Sequence, residues 1–284
     1  MKKLIFLILL LPSLCFGGSI QDAHKAVIGR MNVSAPAGGT DFTADANCQA
    51  AYLFASGSTT TDSSGEGNTL TNTGTTTFSS ADLPSGFSTG QAAVFNGSSQ
   101  SLSRTFANMS ANFPGKATKT NFAYSLWIKH DDAASGTEGV TGIGDSWKQV
   151  WDWISAGYDD FGLNITDTDP TNAWNVLAAN PLITNWYHVV VSFAGADPTG
   201  TATVWISTDS GSFGDTVNAT TFNFTNVKEA AASVTEYPFC IGAELLCTSS
   251  WYDGKIYQPI VFDRVITNAA EAQELYDTGI TGAD

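Results

Sequence analysis

The sequence predicts an all-β domain, a two-sheet sandwich or a barrel, on three observations. From about residue 48 onward, short aromatic and β-branched runs alternate with clusters of Gly, Ser, Thr, Asn and Asp. Several runs carry apolar residues at every second position, which is the period of a strand. The 284 residues, 43% of them apolar, suffice for one large core, and sandwiches of roughly 200–250 residues form single domains.

The chain begins with the pattern of an export signal. Lys2 and Lys3 form a basic start, residues 4–11 are apolar, and Cys15-Phe16-Gly17 fits a small-x-small cleavage site. We expect residues 1–17 to be a signal peptide, cleaved near Gly17, and the mature protein to be secreted. A buried N-terminal strand and a lipoprotein acylated at Cys15 stay open as alternatives. No later segment has the roughly 20 apolar residues of a transmembrane helix, so no integral membrane span is expected.

Residues 18–47 are expected to form a leader and linker. Residues 20–32 have the apolar spacing of a short amphipathic helix, and residues 33–40 consist mostly of small residues and proline, as a flexible linker does. The β domain is predicted over residues 48–279, and residues 280–284 form a tail.

The elements of the domain follow from local patterns. Asn268 and Glu271 have the spacing of a helix N-terminal capping box, and Gly279 is placed to end that helix. Pro259 has no N–H for a ladder hydrogen bond, which predicts either a bulge in the last strand or a position whose amide faces outward. Asn96-Gly97 and Asp253-Gly254 are candidates for turns with positive φ. The strongest strands by period two are residues 91–95, 122–129, 150–155, 187–193, 201–207 and 255–262.

The charge balance limits the partners. There are 12 Lys and Arg against 27 Asp and Glu, a formal charge of −15, and removal of Lys2 and Lys3 takes it to −17. Such a chain repels phosphate backbones and anionic lipid, so no nucleic acid is expected as a partner. The acidic excess indicates solubility and a capacity for cations.

Three cysteines remain after the signal. Cys240 and Cys247 could close a short disulfide across a hairpin or loop in an oxidising compartment, leaving Cys48 unpaired. Their spacing fits no zinc pattern. The three histidines, His24, His130 and His188, lie far apart in sequence and are interpreted as surface or packed residues.

Eight segments in order resemble a known family. They are AYLF (51–54), DSSGEGN (62–68), AAVFNGSSQSL (92–102), FAYSLWIKHDD (122–132), NWYHVVVSF (185–193), TATVWISTDSG (201–211), FCIGAE (239–244) and WYDGKIYQPIVFDRVITNAAEAQELY (251–276). Together they resemble the laminin-G-like, concanavalin A-like jelly-roll superfamily in its bacterial form. The resemblance implies two antiparallel sheets packed as a jelly-roll sandwich, with the C-terminal strand beside the first and a short C-terminal helix.

The resemblance also implies a structural Ca²⁺ between the first loop and the C-terminal strand. Its candidate ligands are Asp62, Gly65, Asn68 and Asp253, because a Gly-rich turn lets carboxylate and backbone oxygens reach a hard cation. The sequence departs from the family pattern where Tyr257 and Gln258 replace the usual acidic residues. The alternative is a loop in which Asp62 and Ser63 make local turn hydrogen bonds.

Aromatic residues among Asp and Asn are the candidate carbohydrate-binding residues. Alternation places the first three of them on one strand face. The alternative is that these rings fill the core, because aromatic residues dominate sandwich cores. A second cluster precedes the Asp253-Gly254 turn and is expected to be exposed, with closure of the core edge as the alternative. The candidates are Trp147, Trp151, Trp153, Tyr158 and Trp174 in the first cluster, and Trp251 and Tyr252 in the second.

The sequence predicts no enzyme, because it has neither paired carboxylates on one strand nor an activated nucleophile. We expect an exported, non-catalytic carbohydrate-binding or adhesion protein whose partner is a glycan or polysaccharide. Two other functions stay open. One is a structural component of an extracellular surface or virion, anchored through its leader and assembling with itself or another surface protein. The other is a glycan-cleaving enzyme.

Overall fold

The computed structural model confirms the all-β prediction. It describes residues 39–114, 121–131, 138–145, 148–155, 160–166, 173–176, 185–196, 199–208, 220–224, 238–243 and 247–282. The strands are β1 (Cys48–Ala51), β2 (Thr71–Thr73), β3 (Thr77–Ser79), β4 (Ala92–Asn96), β5 (Ser101–Thr105), β6 (Phe122–His130), β7 (Glu138–Asp145), β8 (Lys148–Ser155), β9 (Asp160–Thr166), β10 (Ala173–Val176), β11 (Tyr187–Ala196), β12 (Thr199–Thr208), β13 (Thr220–Phe224), β14 (Pro238–Ile241) and β15 (Asp253–Phe262). One α-helix, α1 (Ala269–Thr278), and two 3-10 helices (Phe42–Ala44 and Phe106–Asn108) accompany them.

The strands form two antiparallel sheets. The eight-stranded sheet has the order β13-β12-β11-β6-β15-β4-β3, with β1 also paired to β15, and the seven-stranded sheet has the order β10-β9-β8-β7-β14-β5-β2. The main core lies between them, with Tyr124, Leu126 and Val189 from the first sheet and Leu102 and Ile241 from the second. Strands that are consecutive in the chain often lie in different sheets. Each sheet therefore contains pairs of strands that are distant from each other in the sequence.

Strand β15 lies near the centre of the eight-stranded sheet and pairs with β1, the strand beside which the resemblance places it. It pairs with β6 on one side, and on the other side with β4 near its start and β1 near its end. The register with β6 shifts between Tyr257 and Ile260, and Gln258 has a φ of 47°. The bulge predicted at Pro259 is therefore confirmed, since proline cannot donate to a ladder.

A second apolar layer covers the outer face of the eight-stranded sheet. Helix α1 begins as predicted, with the Asn268 side chain accepting from the Glu271 N–H at 2.9 Å, and ends at Gly279, whose φ is 65°. Ala272 and Leu275 are buried against this face together with Phe262. The Glu271 carboxylate accepts a hydrogen bond from Arg264.

Residues on both sides of the predicted domain, residues 48–279, also contact it. Phe42 is 2% exposed and packs edge-on against Phe262, and its N–H donates to the Ile280 carbonyl at 3.0 Å. The Thr40 N–H donates to the Glu274 carboxylate at 2.8 Å. The predicted signal peptide and leader helix lie outside the described residues. In the described part of the chain, no helix has the length and apolar character needed to cross a bilayer.

Candidate functional site

The two faces of the seven-stranded sheet are distinguished at β14. Phe239 and Ile241 are buried in the main core, whereas Cys240, between them, packs on the opposite face with Ala243 and Cys247. Directly opposed residues of an antiparallel pair lie on the same face of a sheet. The register therefore carries this assignment from β14 through β7 to β8, β9 and β10. We call the side that carries Cys240 the outer face.

Trp151 and Trp153 occupy outer-face positions. Cys240 pairs with Gly142, and Gly142 pairs with Trp151, so the three positions share a face. Trp153 follows two residues later in the same strand, about 7 Å along it. Most core-face positions of β8 and β9 are apolar, as a core-facing side needs; they are Lys148, Val150, Asp152, Ile154, Phe161, Leu163 and Ile165. The register thus separates the two tryptophans from the core side of the sheet.

Uncharged amides surround these two positions in the register. Asn164 of β9 pairs with Trp151, Gly162 pairs with Trp153, and Asn175 of β10 pairs with Gly162. Gln149 lies two residues before Trp151 in β8. The sequence analysis did not identify these amides. Alternation along each strand marks them as one face, but only the pairing of β8, β9 and β10 places them beside one another.

Trp174, another residue of the first aromatic cluster, does not join this pair. The register connects Trp174 of β10 with Ile241, a core residue of β14. The directly opposed positions between them are Leu163 in β9, Asp152 in β8 and Thr141 in β7. Trp174 therefore lies at a core-face position. The other two candidates of that cluster, Trp147 and Tyr158, lie outside the described residues.

The predicted disulfide is confirmed between Cys240 and Cys247, and Cys48 is free and buried. Cys240, Ala243 and Cys247 pack together on the outer face with half-buried Trp251. The Ser250 carbonyl accepts a hydrogen bond from the Gly139 N–H of β7 at 2.7 Å, so the residues after Cys247 reach the strand next to β8. Trp251 thus belongs to the same side of the sandwich as Trp151 and Trp153.

The expected exposure of Tyr252 is wrong. Its side chain is 0% exposed and lies in the main core, with its ring edge-on to Phe95 at 6.2 Å. The chain enters β15 at this point, so adjacent residues face opposite sides. Trp251 takes the outer side and Tyr252 the inner one, which removes Tyr252 from any binding surface.

Asp62 organises the DSSGEGN loop through its own hydrogen bonds. One carboxylate oxygen accepts from the Ala51 N–H at 3.0 Å and the Ser64 N–H at 2.9 Å, and the other from the Ser64 hydroxyl at 2.9 Å and the Asn68 N–H at 2.7 Å. The Asn68 side-chain amide donates to the Gln49 carbonyl at 2.5 Å. Both residues are buried. Their hydrogen bonds tie the loop to β1, and Gly65 contributes a φ of 87° to the turn.

Asp253, the fourth predicted calcium ligand, lies elsewhere. Ala51 pairs with Ile260 near the end of β15, whereas Asp253 begins that strand seven residues earlier. At about 3.3 Å per residue, roughly 20 Å separates the two ends. The Asp253 N–H donates at 2.9 Å to Glu138, whose carboxylate also contacts His130 at 2.8 Å. The four candidates therefore do not form one site.

No group of three or more His, Cys, Asp or Glu side chains is arranged for a metal among the residues that the structure describes. Calcium binding at the Asp62 loop stays a prediction of the sequence.

A serine and a histidine lie in contact beneath α1. The Ser125 hydroxyl is 2.8 Å from His188 Nε2, and the His188 ring packs against Trp127 at 4.9 Å and Tyr276 at 5.8 Å. Both residues are 1% exposed. Burial lowers the pKa of His188 to about 3, so the imidazole is neutral at pH 7. This buried pair packs in the outer layer of the eight-stranded sheet.

No protein-family model matches the chain, and no curated protein matches it. Solved structures do. Domain 4 of a GH43 extracellular arabinanase from Geobacillus stearothermophilus, in complex with arabinotriose, is similar at a TM-score of 0.53 and 18% identity, over 81% of this chain and 98% of that one.

Two further similar structures belong to longer chains. A structure described by the dependence of botulinum neurotoxin type C cell entry on two ganglioside molecules matches at a TM-score of 0.51 and 12% identity, over 76% of this chain and 48% of that one. A mutant Trypanosoma rangeli sialidase with trans-sialidase activity matches at a TM-score of 0.50 and 16% identity, over 89% of this chain and 36% of that one. This chain spans less than half the length of these two proteins. The similarity concerns the fold, and it places the chain among all-β sandwich domains.

Proposed function

We propose that the protein is exported and binds carbohydrate without cleaving it, on the outer face of the seven-stranded sheet at Trp151 and Trp153. The observation that carries the proposal is their register: both occupy alternate positions of one strand, on the side of the sheet that carries Cys240 and away from the core residues Phe239 and Ile241. A tryptophan ring offers a flat apolar surface beside polar neighbours, which suits the apolar face of a sugar ring.

The surroundings support binding of a polar ligand. Asn164 and Asn175 lie on the same face, and each amide group has both a donor and an acceptor for hydroxyl groups. Trp251, which follows Cys247 of the disulfide in the chain, is half-buried. The fold is compatible with this function, since domain 4 of the arabinanase has a similar sandwich and was solved with arabinotriose. The order of the sequence motifs further supports a laminin-G-like, lectin-related jelly roll.

The test is a glycan array and polysaccharide pull-down with the purified protein and two variants, Trp151→Ala and Trp153→Ala. Removing a tryptophan from the centre of a binding surface costs about 2 kcal/mol, which weakens Kd about 30-fold. Gln273→Ala on α1, on the other sheet, is the matched control and keeps wild-type affinity. Circular dichroism establishes that each variant is folded.

Two results would refute the proposal. The first is a folded wild-type protein that binds no glycan in the array. The second is wild-type affinity in both tryptophan variants, which would remove the ligand from this face. Release of new reducing ends from a bound polysaccharide would contradict the non-catalytic part.

A further inference from the structure

We infer that the ligand of the outer face is an uncharged glycan, longer than a single sugar, recognised through side-chain amides; this inference rests on the proposed function. It starts from the residue types that the register places on this face. Over β8, β9 and β10 the outer-face positions hold Gln149, Trp151, Trp153, Ser155, Asp160, Gly162, Asn164, Thr166, Ala173 and Asn175. None of them is basic, and the single acid, Asp160, lies at the strand end.

Recognition of an acidic sugar needs cations. Carboxylates and sulfates are bound most strongly by arginine and lysine, through charge-assisted hydrogen bonds. Neutral sugars need paired donors and acceptors for their hydroxyl groups, which Asn and Gln supply together. Three amides around two tryptophans therefore match a polyol and not a polyanion.

The basic side chains described outside β8 already have partners. Lys129 and Lys255 both contact the Asp82 carboxylate, the first at 2.8 Å and the second at 2.5 Å. The Arg104 guanidinium donates to the backbone carbonyls of Asn108 and Thr69. Arg264 contacts Asp45 at 2.7 Å and also Glu271. These cations stabilise the sandwich itself.

The net charge of the whole chain also disfavours acidic ligands. A net charge of −15 produces a field that repels polyanions before any contact forms. The screening length is about 8 Å at physiological salt, so this repulsion acts on a polymer that carries many charges close to the surface. The overall charge and the local residue types thus select the same class of ligand independently.

The extent of the face sets a minimum ligand length. Trp151 and Trp153 span about 7 Å along β8, and β14, which bears Cys240, lies two strands away, at roughly 10 Å. The segment with Trp251 follows β14. A ligand that contacts both sides covers more than one sugar ring, which indicates an oligosaccharide or polysaccharide chain.

The experiment compares matched neutral and acidic polymers by affinity electrophoresis and titration calorimetry with the full protein. The neutral probes are linear arabinan, galactan, mannan and mixed-linkage β-glucan; the acidic probes are polygalacturonate, alginate and polysialic acid. Each neutral probe is also tested as its monosaccharide. We expect binding to at least one neutral polymer, at least tenfold weaker binding of its monosaccharide, and a Kd that is constant as NaCl increases.

Asn164→Asp is the decisive variant, because it keeps the shape of the side chain and removes its N–H donors. It should weaken binding of the neutral polymer about tenfold, whereas Gln273→Glu on α1, the same chemical change on the other sheet, should not. Thermal melts control for folding. Asn175→Asp provides a second variant if Asn164→Asp is unfolded.

The outcomes distinguish this inference from the proposed function. Salt-sensitive binding of an acidic polymer that is lost in Trp151→Ala would overturn the neutral-ligand inference and leave the binding face intact. Equal affinity for monosaccharide and polymer would overturn the inference that the ligand is longer than a single sugar. Absence of binding to every probe would overturn the proposed function and this inference together.

Discussion

Asp62 is expected to be the side chain that holds the first long loop against the sandwich, and Asp62→Ala tests this. The substitution removes an acceptor that satisfies four donors, two of which are the backbone N–H groups of Ala51 and Asn68. Both of those residues are 0% exposed. Water cannot readily replace the lost acceptor there, so the two N–H groups are left without a partner.

The magnitude follows from those two groups. A buried donor without a partner costs about 1–3 kcal/mol, so Asp62→Ala should lower the free energy of unfolding by about 2–6 kcal/mol. The Ser64 donors add little because Ser64 is half-buried and can turn to water. For a domain of this size, 1 kcal/mol moves Tm by about 2–4 °C, so Tm should fall by roughly 10 °C.

Two variants grade the effect. Asp62→Asn keeps one oxygen for the Ala51 N–H but brings an NH₂ group to the Asn68 N–H, so about half of the loss is expected. Ser64→Ala removes two hydrogen bonds of a partly exposed hydroxyl, one donated to Asp62 and one accepted from the exposed Glu66 N–H, and should cost about 1 kcal/mol because water can replace both partners. The expected order of stability is wild type, Ser64→Ala, Asp62→Asn, Asp62→Ala.

The assay is urea unfolding followed by tryptophan fluorescence, with thermal melts by circular dichroism as the second measurement. The m value should stay constant across the series, which shows that stability and not compactness has changed. If Asp62→Ala lowers the free energy of unfolding no more than Ser64→Ala does, the reasoning is refuted, because the hydrogen bonds of the buried N–H groups would then contribute nothing to stability.

Three further predictions concern metal, pH and the disulfide. If the Ca²⁺ that the sequence predicts binds at the Asp62 loop, it competes with the hydrogen bonds that both Asp62 carboxylate oxygens accept; CaCl₂ should then raise the wild-type Tm, EGTA should reverse the rise and Asp62→Asn should abolish it, and a Tm that Ca²⁺ leaves unchanged would contradict the calcium prediction. The pKa of His188 is lowered by burial to about 3, below the unfolded value of about 6.5, so the unfolded state takes up the proton first and stability is lost as pH falls from about 6.5 towards 3. Between pH 7 and pH 5 the wild type should lose about 2 kcal/mol more than His188→Gln, measured by urea unfolding at both pH values, and equal losses would count against a neutral buried imidazole. Replacing Cys240 and Cys247 with serine should lower the free energy of unfolding by about 2.5 kcal/mol. Dithiothreitol should lower the Tm of the wild type to that of the variant and leave the Tm of the variant unchanged. A wild-type Tm that dithiothreitol does not change would argue against the disulfide.

Local features were predictable because their causes lie within a few residues. The cap at Asn268 and the end at Gly279 follow from short-range backbone hydrogen bonds, and both were found where the sequence predicts them. The bulge at Pro259 follows from a missing N–H in the residue itself. The bond between Cys240 and Cys247 was suggested by a short separation in an expected oxidising compartment.

Errors occurred where the environment of a residue depends on distant strands. Tyr252 was expected beside Trp251 on the surface, but its position at the entry to β15 turns it into the core. Asp253 was grouped with Asp62 by motif order, yet the two lie near opposite ends of β15. Neither strand pairing nor the direction of a chain within a sheet can be derived from local spacing.

The sequence by itself determined the all-β class, the acidic surface, the terminal helix and the set of tryptophans, because each depends on composition or on short-range periodicity. Only the tertiary structure decided that the face shared by Trp151 and Trp153 is the one opposite the core, and that Gln149, Asn164 and Asn175 lie at positions on the same face. The physical reason is the register of antiparallel strands. A shift of one residue moves every side chain of a strand to the other face, and that register is set by pairing between strands that are remote from each other in the chain.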